Sequence, residues 1–168
     1  MIPPQLSGQT LADRQSPMDI AIRSATEGDS AAIVSLIRQW KSGGSQGTVD
    51  ESTAARSVRD CVQSTTCDVL VGEVSGKILG YIVVHWIPFP MIGGTEGYIS
   101  DIIIDRGARG IGLGTRLVAS VEGKARARGA QRLMLNNRVS AESFMRGFYQ
   151  KLGFRQRDEF ANFVKALG

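Results

Sequence analysis

The chain has 168 residues and a net charge of +4, from 20 Lys and Arg against 16 Asp and Glu. With 42% hydrophobic and 21% charged residues, its composition excludes an intrinsically disordered chain and fits one globular domain. The positive charge is local: residues 105–138 contain eight Lys and Arg and two acids, a net of +6, which leaves −2 for the rest. Such an excess predicts a site for an anion rather than a generally cationic surface.

Cysteine and histidine are scarce in this chain. Cys61 and Cys67 lie six residues apart and His85 is the only histidine, which fits no usual zinc-ligand spacing and no disulfide framework. The sequence therefore predicts two reduced thiols and no metal. The N-terminal stretch lacks the apolar core of a secretory signal, and residues 78–92, the most apolar stretch, are too few to span a bilayer. We expect a cytoplasmic protein.

Residues 1–18 are polar and lack periodicity, so we predict a flexible tail before a single domain over residues 19–168, with Met18 as an alternative start. Hydrophobic spacing and turn residues predict the elements that follow. They are a strand at 20–22, a helix that begins near 26–29 and carries apolar residues to 40, a loop at 42–47, a polar helix at 51–62, strands at 69–71, 78–86 and 98–104, a helix that follows the glycines of 106–114 and stops at Gly129, a strand at 133–135, a helix at 141–152 and a strand at 160–164. The order β-α-α-β-β-β-α-β-α-β is that of a mixed α+β protein within the broad α/β class.

A glycine-rich stretch, residues 106–114, joins a predicted strand to a predicted helix, as in phosphate-binding loops. Thr115 and Arg116 follow its last glycine, so neither the P-loop pattern nor the dinucleotide fingerprint is satisfied. What remains is Arg109-x-x-Gly112-x-Gly114. Glycines let backbone N–H groups approach a pyrophosphate, and the helix start adds partial positive charge. The alternative is a tight turn with glycines that serve packing alone.

Three segments together resemble the GCN5-related N-acetyltransferase (GNAT) family. Residues 105–117 resemble its motif A, residues 148–154 its motif B, and residues 22–29 its usual first strand and helix start. The resemblance covers residues 19–168. It implies a central mixed, mostly antiparallel twisted sheet flanked by helices. It also implies an enzyme that transfers an acetyl group from acetyl-CoA to a primary amine of a small molecule or peptide.

The resemblance also implies where acetyl-CoA is held. One strand would pair through its backbone with the pantetheine arm, and the glycine loop would hold the pyrophosphate through its amides. The strand residues are Ile102, Ile103 and Ile104, and the loop residues are Gly110, Ile111, Gly112, Leu113, Gly114 and Thr115, with Arg109 or Arg116 adding a charged hydrogen bond. Many relatives carry asparagine where this chain has Glu142, so no cofactor role is transferred there, and Asn136 or Asn137 is the alternative.

The chemistry requires a base and an acid. An alkylammonium group has a pKa of about 10.4, so a base or a desolvating pocket must remove its proton, and the departing thiolate benefits from a proton donor. Tyr149 matches the tyrosine that serves as this acid in many family members, and the alternative is a core aromatic. Glu96 stands where the family's ribosomal-protein N-acetyltransferases carry their catalytic glutamate, whereas Tyr98 stands at the position used by histone-acetylating members.

Alternatives to these roles remain open. If Glu96 is not the base, it is a solvated carboxylate at a strand end. His85 is either a base that acts through a water relay or a packing residue. Strand alternation places Asp101 on the face opposite Glu96. The apolar loop at 86–94 fits either an acceptor amine or a homodimer contact.

Three functions follow from the sequence. The first is the acetyltransferase, which acts by direct attack in a ternary complex, because both cysteines lie outside the motifs. The second is a non-catalytic acyl-CoA-binding or regulatory module on the same fold. The third, nucleic-acid binding through the basic helix, is disfavoured because Lys124, Arg126 and Arg128 lack interleaved aromatic residues. The acceptor stays open among antibiotics, polyamines, amino acids and peptide N-termini.

Overall fold

A computed structural model describes residues 19–41 and 50–167. The predicted tail at 1–18 and the predicted loop at 42–47 lie outside the described residues. The strands are β1 Ile20–Ser24, β2 Cys67–Val74, β3 Lys77–Phe89, β4 Gly94–Ile104 and β5 Arg132–Leu135. The helices are α1 Ser30–Lys41, α2 Glu51–Gln63, α3 Leu113–Ala127, α4 Glu142–Met145 and α5 Phe148–Lys151. Within the described ranges, no helix has the length and apolar character needed to cross a membrane.

The five strands form one sheet in the order β1-β2-β3-β4-β5. The pairs β1–β2, β2–β3 and β3–β4 are antiparallel. The pair β4–β5 is parallel, because α3 carries the chain back across the sheet between these two strands. The sheet is therefore mixed and mostly antiparallel, as predicted. The β2–β3 hairpin turns at Ser75 and Gly76, both with positive φ, where the sequence predicts a turn.

Each face of the sheet carries its own apolar core. On one face α3 packs its buried residues, among them Leu117 and Val121, against strand residues such as Ile82 and Ile99. On the other face α1 and α2 cover a second cluster. Its buried members are Ile33, Leu36, Val58, Cys67, Val69, Val71, Tyr81, Val83 and Ile103. We call these the α3 face and the α1–α2 face.

An ion-pair network joins the start of the domain to the sheet. Arg23 on β1 contacts Asp29 at 2.7 Å and Glu73 on β2 at 2.6 Å. Asp29 also accepts a hydrogen bond from the backbone N–H of Thr26 at 2.7 Å, which closes the turn before α1. The hydrogen bonds from Arg23 hold the pKa of Asp29 well below its usual range, against the opposing effect of burial.

Two predicted elements near the C-terminus are wrong. Residues 160–164 form no strand, and Phe160, Phe163 and Val164 are exposed. A β-forming composition alone does not make a strand, because a strand also needs a neighbour to pair with. The edge strand on that side of the sheet, β5, is only four residues long. The single helix predicted at 141–152 is instead α4 and α5, because Gly147 between them adopts a left-handed conformation with φ 64°.

Candidate active site

The site is a cleft where β4 and β5 separate. The two strands are paired only from Glu96 to Ile99 on β4 and from Arg132 to Leu135 on β5. Beyond Ile99, β4 continues to Ile104 with no β5 partner, so its backbone edge lines an open wedge. The wedge, the glycine loop and the α4–α5 segment enclose a cleft of about 810 Å³.

The glycine loop needs its glycines for backbone conformation. Gly110 and Gly112 have φ of 83° and 88°, in the left-handed region that other residues rarely adopt. Gly112 is also the N-cap residue directly before α3, so the loop ends at the helix N-terminus, where the first N–H groups have no partner within the helix. Asp105 accepts a hydrogen bond from the Gly107 N–H at 2.8 Å and fixes the start of the loop.

Most of the predicted cofactor residues meet at this cleft. Its walls include Ile102, Ile103, Ile104, Arg109, Gly110, Gly112, Leu113, Gly114 and Thr115. Ile111 is not among the lining residues and packs instead against the core of the α3 face. Leu113 is 1% exposed, so its side chain belongs to the core and only its backbone is available to a ligand.

The cleft is positively charged. Four arginines line it against two acids, Asp101 and Glu142, a net of +2; the arginines are Arg106, Arg109, Arg138 and Arg146. Arg109 contacts Glu142 at 2.7 Å, and both side chains are exposed. Exposed pairs of this kind contribute little to stability, so Arg109 can exchange Glu142 for a phosphate at small cost. An anionic ligand at the loop would therefore compete with Glu142 for Arg109.

Tyr149 lines the cleft from α5 and is partly buried. Its ring makes edge contacts with Phe148 and Phe154, at centroid distances of 5.0 and 5.9 Å. Burial raises the pKa of the Tyr149 phenol, opposed by the charge of Arg146. The phenol therefore stays protonated at neutral pH and is able to donate a proton or hydrogen bond.

Glu96 lies apart from the cleft lining. It is 6% exposed, and its carboxylate pairs with the guanidinium of Arg132 across the β4–β5 ladder. It stands three residues before Ile99, the last β4 residue that pairs with β5, a distance along the strand of about 10 Å. A proton released in the wedge would need a water-mediated path to reach it.

A β-bulge in β4 brings other polar groups to the cleft. Val83 pairs with Asp101 and Val84 with Ile99, which leaves Ser100 unpaired. The extra residue shifts the alternation, so Asp101 shares the α1–α2 face with Val83, and its predicted placement on the face opposite Glu96 is wrong. The Ser100 hydroxyl donates to Asp101 at 2.8 Å and lies 3.1 Å from Nε2 of His85.

Sequence reasoning missed Ser100 and Asp101 as members of the site, because alternation alone gives no sign of a bulge. Both line the cleft, whereas His85 does not and is linked to it through Ser100. The apolar loop predicted at 86–94 is shorter in the structure than in the prediction, since β3 extends to Phe89. It is not part of the cleft lining.

The opposite wall is held by amide side chains. Asn137 donates to the Ser143 hydroxyl at 3.1 Å, which ties the segment after β5 to α4. Asn136 donates to the phenol oxygen of Tyr98 at 3.3 Å. Both asparagines line the cleft, so this wall presents polar side chains, whereas the β4 wall adds an unpaired backbone edge to Ser100 and Asp101.

Comparison with known proteins shows which family the chain resembles in sequence and fold. The family model described as "Acetyltransferase (GNAT) family" matches residues 34–154. A predicted acetyltransferase from Clostridium acetobutylicum, solved with acetyl-CoA, superposes with a TM-score of 0.71. The match covers 87% of this chain and 96% of that one at 22% identity, which shows a shared fold.

Two curated relatives are similar over part of their length. Blasticidin-S acetyltransferase of Streptomyces morookaense is 32% identical over 85 residues, 50% of this chain and 53% of that protein. Glucosamine 6-phosphate N-acetyltransferase 1 of Oryza sativa subsp. japonica is 35% identical over 65 residues, 39% of this chain and 37% of that protein. The chain thus spans about half or less of the length of these relatives.

Proposed function

The chain belongs to the acetyltransferase (GNAT) family, and from this premise we propose that it binds acetyl-CoA in the cleft and acetylates a primary amine. The transfer proceeds by direct attack of the amine in a ternary complex. The observation that carries the proposal is the unpaired edge of β4 beside the glycine loop at the start of α3.

The geometry fits the cofactor in two places. The backbone of Ile102–Ile104 pairs with β3 on one side and has no β5 partner on the other, so the N–H and C=O groups on that open edge are available to the amides of a pantetheine arm. Next to them, the loop and the first turn of α3 offer N–H groups to a pyrophosphate, and Arg109 adds a charged donor. The bound thioester would supply an activated carbonyl at the strand divergence.

The residues around that point handle the protons. The amine nitrogen forms a bond to the carbonyl carbon while the carbon–sulfur bond breaks. Tyr149 donates its phenolic proton to the departing sulfur. Glu96 accepts the amine proton through bridging water, and the Arg132 pair keeps its carboxylate oriented. His85, which reaches the cleft through Ser100, is the alternative acceptor.

The test measures CoA thiol release with acetyl-CoA and a panel of amines. We expect amine-dependent release, and Glu96→Gln should lower kcat about 100-fold while His85→Gln changes it little. The reverse pattern would assign the base role to His85. Equal rates in both variants and the wild type would reject both residues.

One observation favours a non-catalytic acyl-CoA-binding module as the second candidate. Glu96 is buried, ion-paired and outside the cleft lining, which is unfavourable for a proton acceptor. This candidate predicts that acetyl-CoA raises the melting temperature while no amine in the panel releases thiol.

The acceptor and the location are further parts of the proposal. The relatives' names point to small-molecule acceptors, blasticidin-S and glucosamine 6-phosphate, so small-molecule amines head the panel. We also propose that the protein acts in the cytoplasm without nucleic acid. Its basic helix residues are engaged within the fold, since Lys124 contacts Asp68 at 2.9 Å and Arg128 contacts it at 3.1 Å.

A further inference from the structure

The fold assembles a cluster of soft ligands outside the cleft. The Sγ atoms of Cys61 and Cys67 and a ring nitrogen of His85 all lie within 4.8 Å of one another. Cys67 is buried, and Cys61 and His85 are partly exposed. These are both cysteines and the one histidine of the chain.

Three elements bring the cluster together. Cys67 begins β2 and is the cross-strand partner of His85 on β3, so both side chains lie on the α1–α2 face. Cys61 lies in the last turn of α2, which packs on that face. The six-residue spacing that argued against a metal in the sequence spans a helix end and a strand start, and the third ligand comes from the neighbouring strand.

We propose that Cys61, Cys67 and His85 form a zinc-binding site. Two thiolates and one imidazole are a donor set typical of zinc, which takes four ligands in a tetrahedron. The partial exposure of Cys61 and His85 gives water access to the fourth position. Zn–S bonds of about 2.3 Å place two sulfurs about 3.8 Å apart, so ligand atoms that already lie within 4.8 Å of one another need to close by at most about 1 Å.

A supporting shell for the histidine is already present. Nε2 of His85 lies 3.1 Å from the Ser100 hydroxyl, which itself donates to Asp101. Histidine ligands of metals generally use their second nitrogen in this way, which fixes the tautomer and the ring orientation. With Nε2 held by Ser100, Nδ1 is left for the metal.

Occupancy of the site would act on the rest of the molecule. The metal would join the end of α2 to β2 and β3, in addition to the apolar contacts of the α1–α2 face. Through His85 it would also hold Ser100, which lines the acetyl-transfer cleft. The site itself does not depend on acetyltransferase activity.

The test titrates Co²⁺, as a spectroscopic substitute for Zn²⁺, into the reduced, metal-free and tag-free full chain. We expect a thiolate-to-cobalt charge-transfer band that saturates at one equivalent and disappears when Zn²⁺ is added. Zinc at about 100 times its Kd should raise the melting temperature by about 5 °C or more.

Variants separate this site from adventitious binding. Cys61→Ser and His85→Gln should each weaken cobalt affinity by about 100-fold or more, and Ser100→Ala by about 10-fold. Asp60 is an exposed acid beside Cys61, and Asp60→Asn should leave the cobalt affinity unchanged. The proposal is overturned if the reduced protein gives no charge-transfer band, or if Cys61→Ser binds cobalt as tightly as the wild type. A Cys61–Cys67 disulfide whose reduction restores no cobalt binding would also overturn it.

Discussion

The two walls of the cleft are built in different ways. The wall formed by β4 and the glycine loop offers backbone groups: an unpaired strand edge, two left-handed glycines and the start of a 15-residue helix. The wall formed by the segment after β5, α4 and α5 offers side chains, including Asn137 and Tyr149, from helices of four residues each. We infer that the first wall determines cofactor affinity and the second determines the rate of transfer, so variants should separate Kd from kcat.

The largest expected effect is on the side-chain wall. Tyr149→Phe removes the proposed proton donor while it keeps the ring contacts with Phe148 and Phe154. We expect kcat to fall by about 10²–10⁴-fold with an unchanged Kd for acetyl-CoA. Steady-state kinetics and calorimetry measure the two quantities. Tyr98→Phe removes a phenol oxygen outside the cleft lining and should change kcat by less than about tenfold.

The backbone wall is tested at Gly112. An alanine there must adopt φ near 88°, which costs about 1–2 kcal/mol and distorts the start of α3. We expect Gly112→Ala to weaken acetyl-CoA binding about tenfold, as measured by calorimetry. Gly123→Ala is the matched control, because Gly123 lies within α3 with open space around it. It should bind acetyl-CoA normally and gain up to about 1 kcal/mol of stability. Equal binding by both variants would contradict a backbone site.

A smaller effect is expected where the walls meet. Glu142→Gln releases Arg109 from its exposed ion pair and should tighten acetyl-CoA binding by up to about fivefold at low salt. Glu122→Gln is the control, since Glu122 pairs with Arg126 along α3, away from the cleft lining. A loss of affinity in Glu142→Gln would show that Glu142 supports the site rather than competing with the ligand.

The smallest functional effect is expected outside both walls. The carboxylate of Asp29 is stabilised by Arg23, so its pKa is lower in the folded state than the unfolded value of about 3.9. Its contribution is present above the unfolded pKa and is lost as pH falls through the folded one. Asp29→Asn should remove about 1 kcal/mol of stability at pH 7, and the deficit should shrink in acid. Denaturation at several pH values measures this, and Kd and kcat should stay at wild-type values.

The sequence predicts the glycine loop and α3 better than the bulge in β4 and the α4–α5 segment, for physical reasons. The glycine loop and α3 are local features. The helical spacing of apolar residues and the glycines that adopt positive φ both lie within one continuous stretch of sequence. The break at Gly147 and the bulge at Ser100 depend on tertiary packing, so helical spacing and strand alternation misplace α4, α5 and Asp101. Residues 160–164 show the same limit, since composition predicts a strand but cannot provide its partner.

Long-range proximity is the hardest feature to predict. Cys67 and His85 are 18 residues apart in the chain and become neighbours only through the β2–β3 register. Arg132, the partner of Glu96, is likewise placed by the parallel β4–β5 pairing. Neither contact leaves a local pattern in the sequence.

The central claim is that the backbone wall binds acetyl-CoA. Calorimetric titration of acetyl-CoA into the wild type and Gly112→Ala tests it most directly. We predict one site per chain, an affinity that falls as salt is raised, and binding about tenfold weaker in the variant. An absence of binding to the wild type at millimolar acetyl-CoA would contradict the claim, as would equal affinity in the two proteins.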